Sequence, residues 1–208
     1  MPSVYDLKPR FQSLLRPVIK RLAAAGFTAN TVTILALIGS VAVGACAFPA
    51  RTNPLLLLLL PGWLFVRMAL NAIDGMMARE LNMATALGAV LNELGDVISD
   101  LALYLPLAVV YPQARWDIVA FAVGAVLTEF SGVLGRALGA SRHYEGPMGK
   151  SDRAFVVGSL GLITAFAPKA VVGWPWVFGA AAILTALTCL NRLRGALRDL
   201  RDQPNRGD

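Results

Sequence analysis

Residues 55–79 read LLLLLLPGWLFVRMALNAIDGMMAR, an apolar run that ends in polar and charged residues. The hydrocarbon core of a bilayer is roughly 30 Å thick, and about 20 apolar residues in a helix cross it. This run is long enough to do so. Its polar end is then expected near one face of the membrane.

The rest of the chain shares this apolar character. Of its 208 residues, 56% are hydrophobic and 15% are charged, whereas about 25% of the residues of a soluble domain are charged. We therefore expect an all-α integral membrane protein: one domain with six transmembrane helices over 27–193, an N-terminal amphipathic interfacial helix over 1–26 and a basic tail over 194–208. The predicted spans cover residues 31–48, 55–78, 86–111, 118–139, 151–168 and 171–190.

The positive charges predict how the chain lies in the membrane. The net charge is +6, and most Lys and Arg residues fall at the termini or on one side of the predicted spans. Only Arg51, Arg115 and Lys169 fall on the other side. Because cytoplasmic segments carry an excess of cations, we expect both termini and the polar helix ends in the cytoplasm, in a bacterial inner membrane. Basic flanks of membrane helices explain the charge without nucleic acid, and Trp174 and Trp176 are expected at the outer interface.

Two neighbouring spans carry polar residues at helical spacing. Asn71 and Asp74 are three residues apart, and Asn92, Asp96 and Asp100 are each four apart, so each set shares one helix face. A short link joins the two helices, which predicts antiparallel neighbours with facing stripes. Carboxylates with amide oxygens suit a hard divalent cation, Mg²⁺ or Mn²⁺. The alternative is a set of hydrogen bonds between helices without chemistry.

Residues 71–96 resemble the signature of CDP-alcohol phosphotransferases, D-x2-D-G-x2-A-R-x8-G-x3-D-x3-D. The positions that match are Asp74, Gly75, Ala78, Arg79, Gly88 and Asp96. The stretch 29–33, ANTVT, is similar to the P-N-x-x-T sequence at the start of the family's first span. The resemblance extends over most of the chain.

The resemblance implies a site and a reaction. Residues at the CDP group would be Asn30, Thr33, Gly75, Ala78 and Gly88. Asp74 would bind metal, Asp96 would bind metal or act as the general base, and Arg79 would assist the leaving CMP. The implied partners are a CDP-linked lipid donor, a hydroxyl acceptor, the lipid bilayer and a second copy of the chain in a homodimer.

The sequence departs from the signature at two positions. Asn71 and Asn92 stand where the family has aspartates, and the family uses four carboxylates to hold two metals. Glu93, Asp100 or Glu129 could restore the lost charge, or the site could hold one metal. A catalytically impaired scaffold therefore remains an alternative, and a small transporter with an acidic pathway is another.

A second polar cluster lies before the fifth predicted span. Residues 142–153 read RHYEGPMGKSDR, with Arg142, Lys150 and Arg153 around a helix start, where backbone N–H groups favour anions. The cluster is similar to the region where family members hold a phosphorylated acceptor, so we predict that these three cations bind the acceptor. The alternative is an ordinary basic cytoplasmic loop. Arg67 and Glu129, which lie deeper in their spans, could form a buried pair or face the cavity.

Overall fold

The chain is all-helical in the computed structural model, which describes residues 4–141, 143 and 145–202. These ranges contain no strand, so the all-α prediction is confirmed. The helices are α1 Val4–Ala24, α2 Ala29–Cys46, α3 Leu59–Glu80, α4 Ala86–Val110, α5 Arg115–Ala137, α6 Lys150–Phe166 and α7 Trp174–Asp202. Short 3-10 turns occupy Phe48–Arg51, Pro54–Leu58, Pro112–Ala114 and Pro168–Gly173.

Threonine caps fix the starts of the two helices that carry much of the polar site. The hydroxyl of Thr28 accepts a hydrogen bond from the N–H of Thr31 at 3.2 Å, at the start of α2. The hydroxyl of Thr85 accepts one from the N–H of Gly88 at 2.9 Å, at the start of α4. Such caps satisfy N–H groups that have no partner within the helix. Both helices therefore begin at defined residues next to the motif.

Four helical segments are long and apolar enough to cross a membrane. They are Ala29–Arg51, Pro54–Glu80, Pro112–Ala137 and Pro168–Asp202. Helix α4 has 25 residues but carries three acids in its first 15 positions, and α6 has 17 residues. Length and composition thus give four spans in the described part of the chain, and the count of six stays a prediction. Helix α7 also continues to Asp202, beyond the expected start of the tail at residue 194.

The packing of the helices brings the polar stripes of α3 and α4 together. Helix α2 packs on both of them, α3 packs on α6, and α5 packs most extensively on α7. The side chains of Arg67 and Asn71 reach from α3 to α4. The expected facing of the two stripes is therefore present, with α2 holding the two helices in place.

An aromatic cluster fills the core toward the other end of the bundle. Its ring centroids lie 4.5–5.6 Å apart, within contact range for aromatic pairs. The cluster consists of Tyr104, Tyr111, Phe121, Trp174 and Phe178. Trp174 differs from its expected place at the membrane interface, because it is fully buried and its indole N–H donates to Thr164 at 3.0 Å. Trp176 is exposed.

Helix α1 packs against the end of α3 that carries Asp74. Ile19 is buried in a small cluster with Ile73 and Met76 of α3. Arg16 forms an exposed salt bridge with Glu80 at 3.1 Å. The N-terminal helix therefore lies at the polar end of the bundle.

Candidate active site

A cavity of about 430 Å³ opens at the polar end of α2, α3 and α4. Every residue that the resemblance places at the CDP group lines it, together with the predicted catalytic residues Asp74 and Arg79. These lining residues are Asn30, Thr33, Gly75, Ala78 and Gly88. Positions that are up to 58 residues apart in sequence thus form one surface.

Asp74 is the acidic group of this cavity. Only 5% of the residue is exposed, and one carboxylate oxygen accepts a hydrogen bond from the hydroxyl of Thr33 at 2.8 Å. Within the described ranges, no Lys or Arg forms a salt bridge with it. Its charge is therefore available to a cation in the cavity.

The two motif glycines leave room beside polar side chains. A Cβ atom at Gly75 would lie 3.3 Å from both terminal nitrogens of Arg79, and one at Gly88 would lie 2.5 Å from the Asn30 amide oxygen. The Asn30 amide also donates to Thr85 at 3.3 Å. Larger residues at either glycine would displace these groups from the cavity wall.

Arg136, in the last turn of α5, lines the same cavity. Arg136 is not among the residues predicted from the sequence, because it lies within a predicted span and outside the signature. Its position in the last turn of α5, at the predicted cytoplasmic end, is the signal that could have found it. It adds a second cation to the wall that contains Arg79.

A second cavity of about 430 Å³ adjoins the first, because Asn71 and Asn92 line both. Asp96 and Lys150 line the second cavity. The other lining residues are Glu129, Gly146, Gly149, Ser151, Asp152 and Arg192. The motif amides thus stand between a site next to Asp74 and a site next to Asp96.

Asp96 is held by three side chains. The Asn71 amide donates to its Oδ1 at 3.1 Å. Arg67 donates to the same oxygen at 3.3 Å and to the Asp96 carbonyl at 3.0 Å. The ammonium of Lys150 forms a salt bridge with Oδ2. These bonds fix the orientation of the carboxylate at the cavity wall.

Asp100 lies between two arginines, which differs from the expectation that it binds a metal. Arg67 donates to its Oδ1 at 2.5 Å, and Arg153 donates to its Oδ2 at 3.0 and 3.2 Å. Both carboxylate oxygens are therefore already bound to cations. The reason is that Asp100 lies one helical turn deeper than Asp96, where the arginines of α3 and α6 meet.

Arg153 also differs from its expected place in an acceptor site. The residue is 0% exposed. Besides Asp100, its guanidinium donates to Glu129 at 2.8 Å, to the Thr128 hydroxyl at 2.9 Å and to the Met148 carbonyl at 3.5 Å. Glu129 in turn lies 3.8 Å from Arg192. All five N–H groups of Arg153 have protein partners. Because Asp100 binds both arginines and Arg153 also binds Glu129, Arg67 and Glu129 belong to one buried network.

The other two predicted acceptor cations lie elsewhere. The side chain of Lys150 is 34% exposed and faces the second cavity. Arg142 lies outside the described residues. Among the three, the structure therefore brings Lys150 to the site.

The donor set is poor in carboxylates for a metal. Within the described ranges, no three Asp, Glu, His or Cys side chains converge on one point. The predicted ligands that line the first cavity and suit a hard cation are Asp74 and the amide oxygens of Asn71 and Asn92. This set fits a divalent cation that keeps several water molecules.

Known proteins share both sequence and fold with this chain. A model of the CDP-alcohol phosphatidyltransferase family matches residues 27–190. Inner membrane protein YnbA of Escherichia coli is 45% identical over 195 residues, which cover 94% of this chain and 96% of that protein. Phosphatidylinositol phosphate synthase of Mycobacteroides abscessus is 27% identical over 194 residues, covering 88% and 85%.

A solved structure of Mycobacterium tuberculosis phosphatidylinositol phosphate synthase with CDP-DAG bound has the same fold. Its TM-score is 0.76 at 22% identity, with 92% of this chain and 98% of that chain covered. The family match covers the signature residues that line the first cavity. The chain belongs to the CDP-alcohol phosphatidyltransferase family.

Proposed function

We propose that the protein transfers a phosphatidyl-type group from a CDP-linked lipid such as CDP-diacylglycerol to a hydroxyl acceptor, with release of CMP, in phospholipid biosynthesis. The observation that carries the proposal is the first cavity, where all the matched family residues except Asp96 converge. The relative solved with CDP-DAG has the same fold. Family membership supports the same type of donor for this chain.

The proposed membrane arrangement has six spans, with α4 and α6 added to the four apolar segments. Partner helices supply hydrogen bonds and salt bridges to Asp96 and Asp100 of α4, which supports its placement in the membrane. Helix α1 lies in the cytoplasmic interface. Both termini and the site face the cytoplasm of a bacterial inner membrane, and the chain forms a homodimer.

The roles of the residues follow from the reaction. The CDP group lies in the first cavity, with Arg79 beside its phosphates. Asp96 accepts the proton of the acceptor hydroxyl, whose oxygen forms a bond to the β-phosphorus. The bond from that phosphorus to the oxygen of CMP breaks, and CMP leaves with the electron pair. Arg67 and Asn71 hold Asp96 in the required orientation.

A divalent cation, Mg²⁺ or Mn²⁺, would be held by Asp74 and by the amide oxygens of Asn71 and Asn92. When bound, it neutralises charge on the pyrophosphate and polarises the phosphorus. Thr33 orients Asp74 toward this position through its hydrogen bond.

The proposed acceptor is a polyol phosphate in the second cavity. Lys150 and Arg192 line that cavity and supply positive charge. An ammonium has three N–H groups, so Lys150 can bind Asp96 and an acceptor phosphate together.

Purified protein with CDP-diacylglycerol tests this function directly. We expect CMP release to require both a divalent cation and a phosphorylated polyol such as an inositol or glycerol phosphate, with the unphosphorylated polyols as matched controls. A variant with both Asp74→Asn and Asp96→Asn controls for enzymes of the expression host. Release of no CMP with any acceptor would instead support a catalytically impaired scaffold.

Restoring the family carboxylates is expected to strengthen metal binding. The double variant Asn71→Asp, Asn92→Asp adds two negative charges between the cavities, so the metal concentration for half-maximal activity falls by roughly tenfold or more. A titration of CMP release with Mg²⁺ measures this. Unchanged metal dependence would show that another carboxylate already compensates, and alanine substitution of Glu93 would then test an acid next to Asn92 on the same helix.

A further inference from the structure

The position of Lys150 in the fold places its ammonium in a salt bridge with Asp96. It is the first residue of α6, and hydrogen bonds to α7 and α6 hold Met148 in the loop before it. The N–H of Met148 donates to Thr188 of α7 at 2.9 Å, and the Met148 carbonyl accepts from Arg153 at 3.5 Å. The salt bridge to Asp96 therefore starts from a fixed helix end.

The three acids of the α3 and α4 stripes differ in their partners. Asp100 is shared by two arginines, and Asp96 binds Lys150 and Arg67. Asp74 accepts from the Thr33 hydroxyl and has no salt bridge within the described ranges. Of these carboxylates, only Asp74 is not already paired with a positive charge of the protein.

The charge balance then limits how many divalent cations the site accepts. Asn71 and Asn92 contribute no charge, and a hard cation prefers carboxylates. A second ion next to Asp96 would also meet the ammonium of Lys150, which repels it. The protein already supplies the cation on the Asp96 side.

We propose that the ammonium of Lys150 serves as a built-in cation at Asp96, so that the site binds one divalent metal ion, next to Asp74. This inference rests on the proposed function, since it concerns the same site. It assigns Lys150 a positioning role toward Asp96 and the reacting phosphates, in addition to any contact with the acceptor. It also accounts for the amides at 71 and 92, because fewer negative charges are needed when one cation belongs to the chain.

Direct metal binding tests the inference without turnover. Detergent-purified protein is titrated with Mn²⁺, and free Mn²⁺ is measured by electron paramagnetic resonance. We expect one bound ion per chain in the wild type and two in Lys150→Met, since methionine keeps the length of the side chain and removes its charge. Lys150→Arg keeps the charge and is expected to bind one ion. Lys169→Met, which removes an exposed charge after the far end of α6, is the matched control and is also expected to bind one.

Two ions in the wild type, or one ion in Lys150→Met, would overturn the inference. The partly exposed position of Lys150 favours a folded variant, and gel filtration verifies this. If Lys150→Met fails to fold, Lys150→Gln serves in its place with the same expected count of two. Protein that shows the change from one ion to two but releases no CMP would refute the proposed function and leave this inference standing. If the protein releases CMP but Lys150→Met binds the same number of ions as the wild type, this inference is refuted and the proposed function stands.

Discussion

Asp74→Asn and Asp96→Asn are each expected to lower the rate of CMP release by about 10²–10⁴-fold. Asp74 supplies the charge of the first cavity that is not paired with a protein cation, and Asp96 is the carboxylate placed to accept the acceptor proton. An amide at either position keeps the shape of the side chain and removes its charge and basicity. Initial rates with purified protein, CDP-diacylglycerol and acceptor measure the effect.

The same two variants are expected to fold. Asp74 has a hydroxyl partner that an amide oxygen can also accept from, and gel filtration verifies the folded state. Asn92→Ala, at the same cavities but without a charge, is the matched control and should lose less activity. Near-normal rates in both Asp→Asn variants would remove the proposed mechanism.

Arg153→Met is expected to destabilise the protein by roughly 3–5 kcal/mol, because it removes one partner from a buried ion network. The guanidinium is fully buried between Asp100 and Glu129. Without it, Asp100 and Glu129 each lose a close salt bridge, at 3.0 and 2.8 Å, inside the bundle. Thermal unfolding in detergent measures the loss.

Lys150→Met is the matched control for this prediction. It removes a cation from the same helix, three residues earlier, where the side chain is 34% exposed. Its effect on thermal unfolding should be smaller than that of Arg153→Met, because the ammonium is partly exposed and Asp96 keeps its salt bridge with Arg67. Equal stability of Arg153→Met and wild type would show that the network does not hold α6 in place. A rise in acceptor KM for Arg153→Met with unchanged stability would restore Arg153 to the acceptor site.

Lys150 and Arg153 lie in the first turn of α6 but have different surroundings. Both were predicted to bind the acceptor, since both are cations near a helix start. The structure gives them different surroundings: Lys150 faces a cavity, while Arg153 joins α4, α5 and α6 through Asp100 and Glu129. Of these two predicted acceptor contacts, the structure leaves Lys150 accessible from the cavity and encloses Arg153 in the protein.

The sequence by itself determined the class of the protein and the motif residues of the first cavity. Apolar runs predict helices in a membrane because hydrophobicity is a local property of the chain. Asn71 and Asp74 share a face because spacing along a helix is fixed. The signature from 74 to 96 indicated the family, and its residues line one cavity together with Asn30 and Thr33.

The tertiary structure alone decided which charged side chains form salt bridges with each other. Asp100 fits the metal stripe by spacing, yet it pairs with Arg67 and Arg153 from two other helices. Arg136 comes to the cavity from α5 without any signature position. Helical periodicity states which residues share a face, but the depth and neighbour of that face depend on how separate helices pack. The partners of buried charges are therefore a property of the packed bundle.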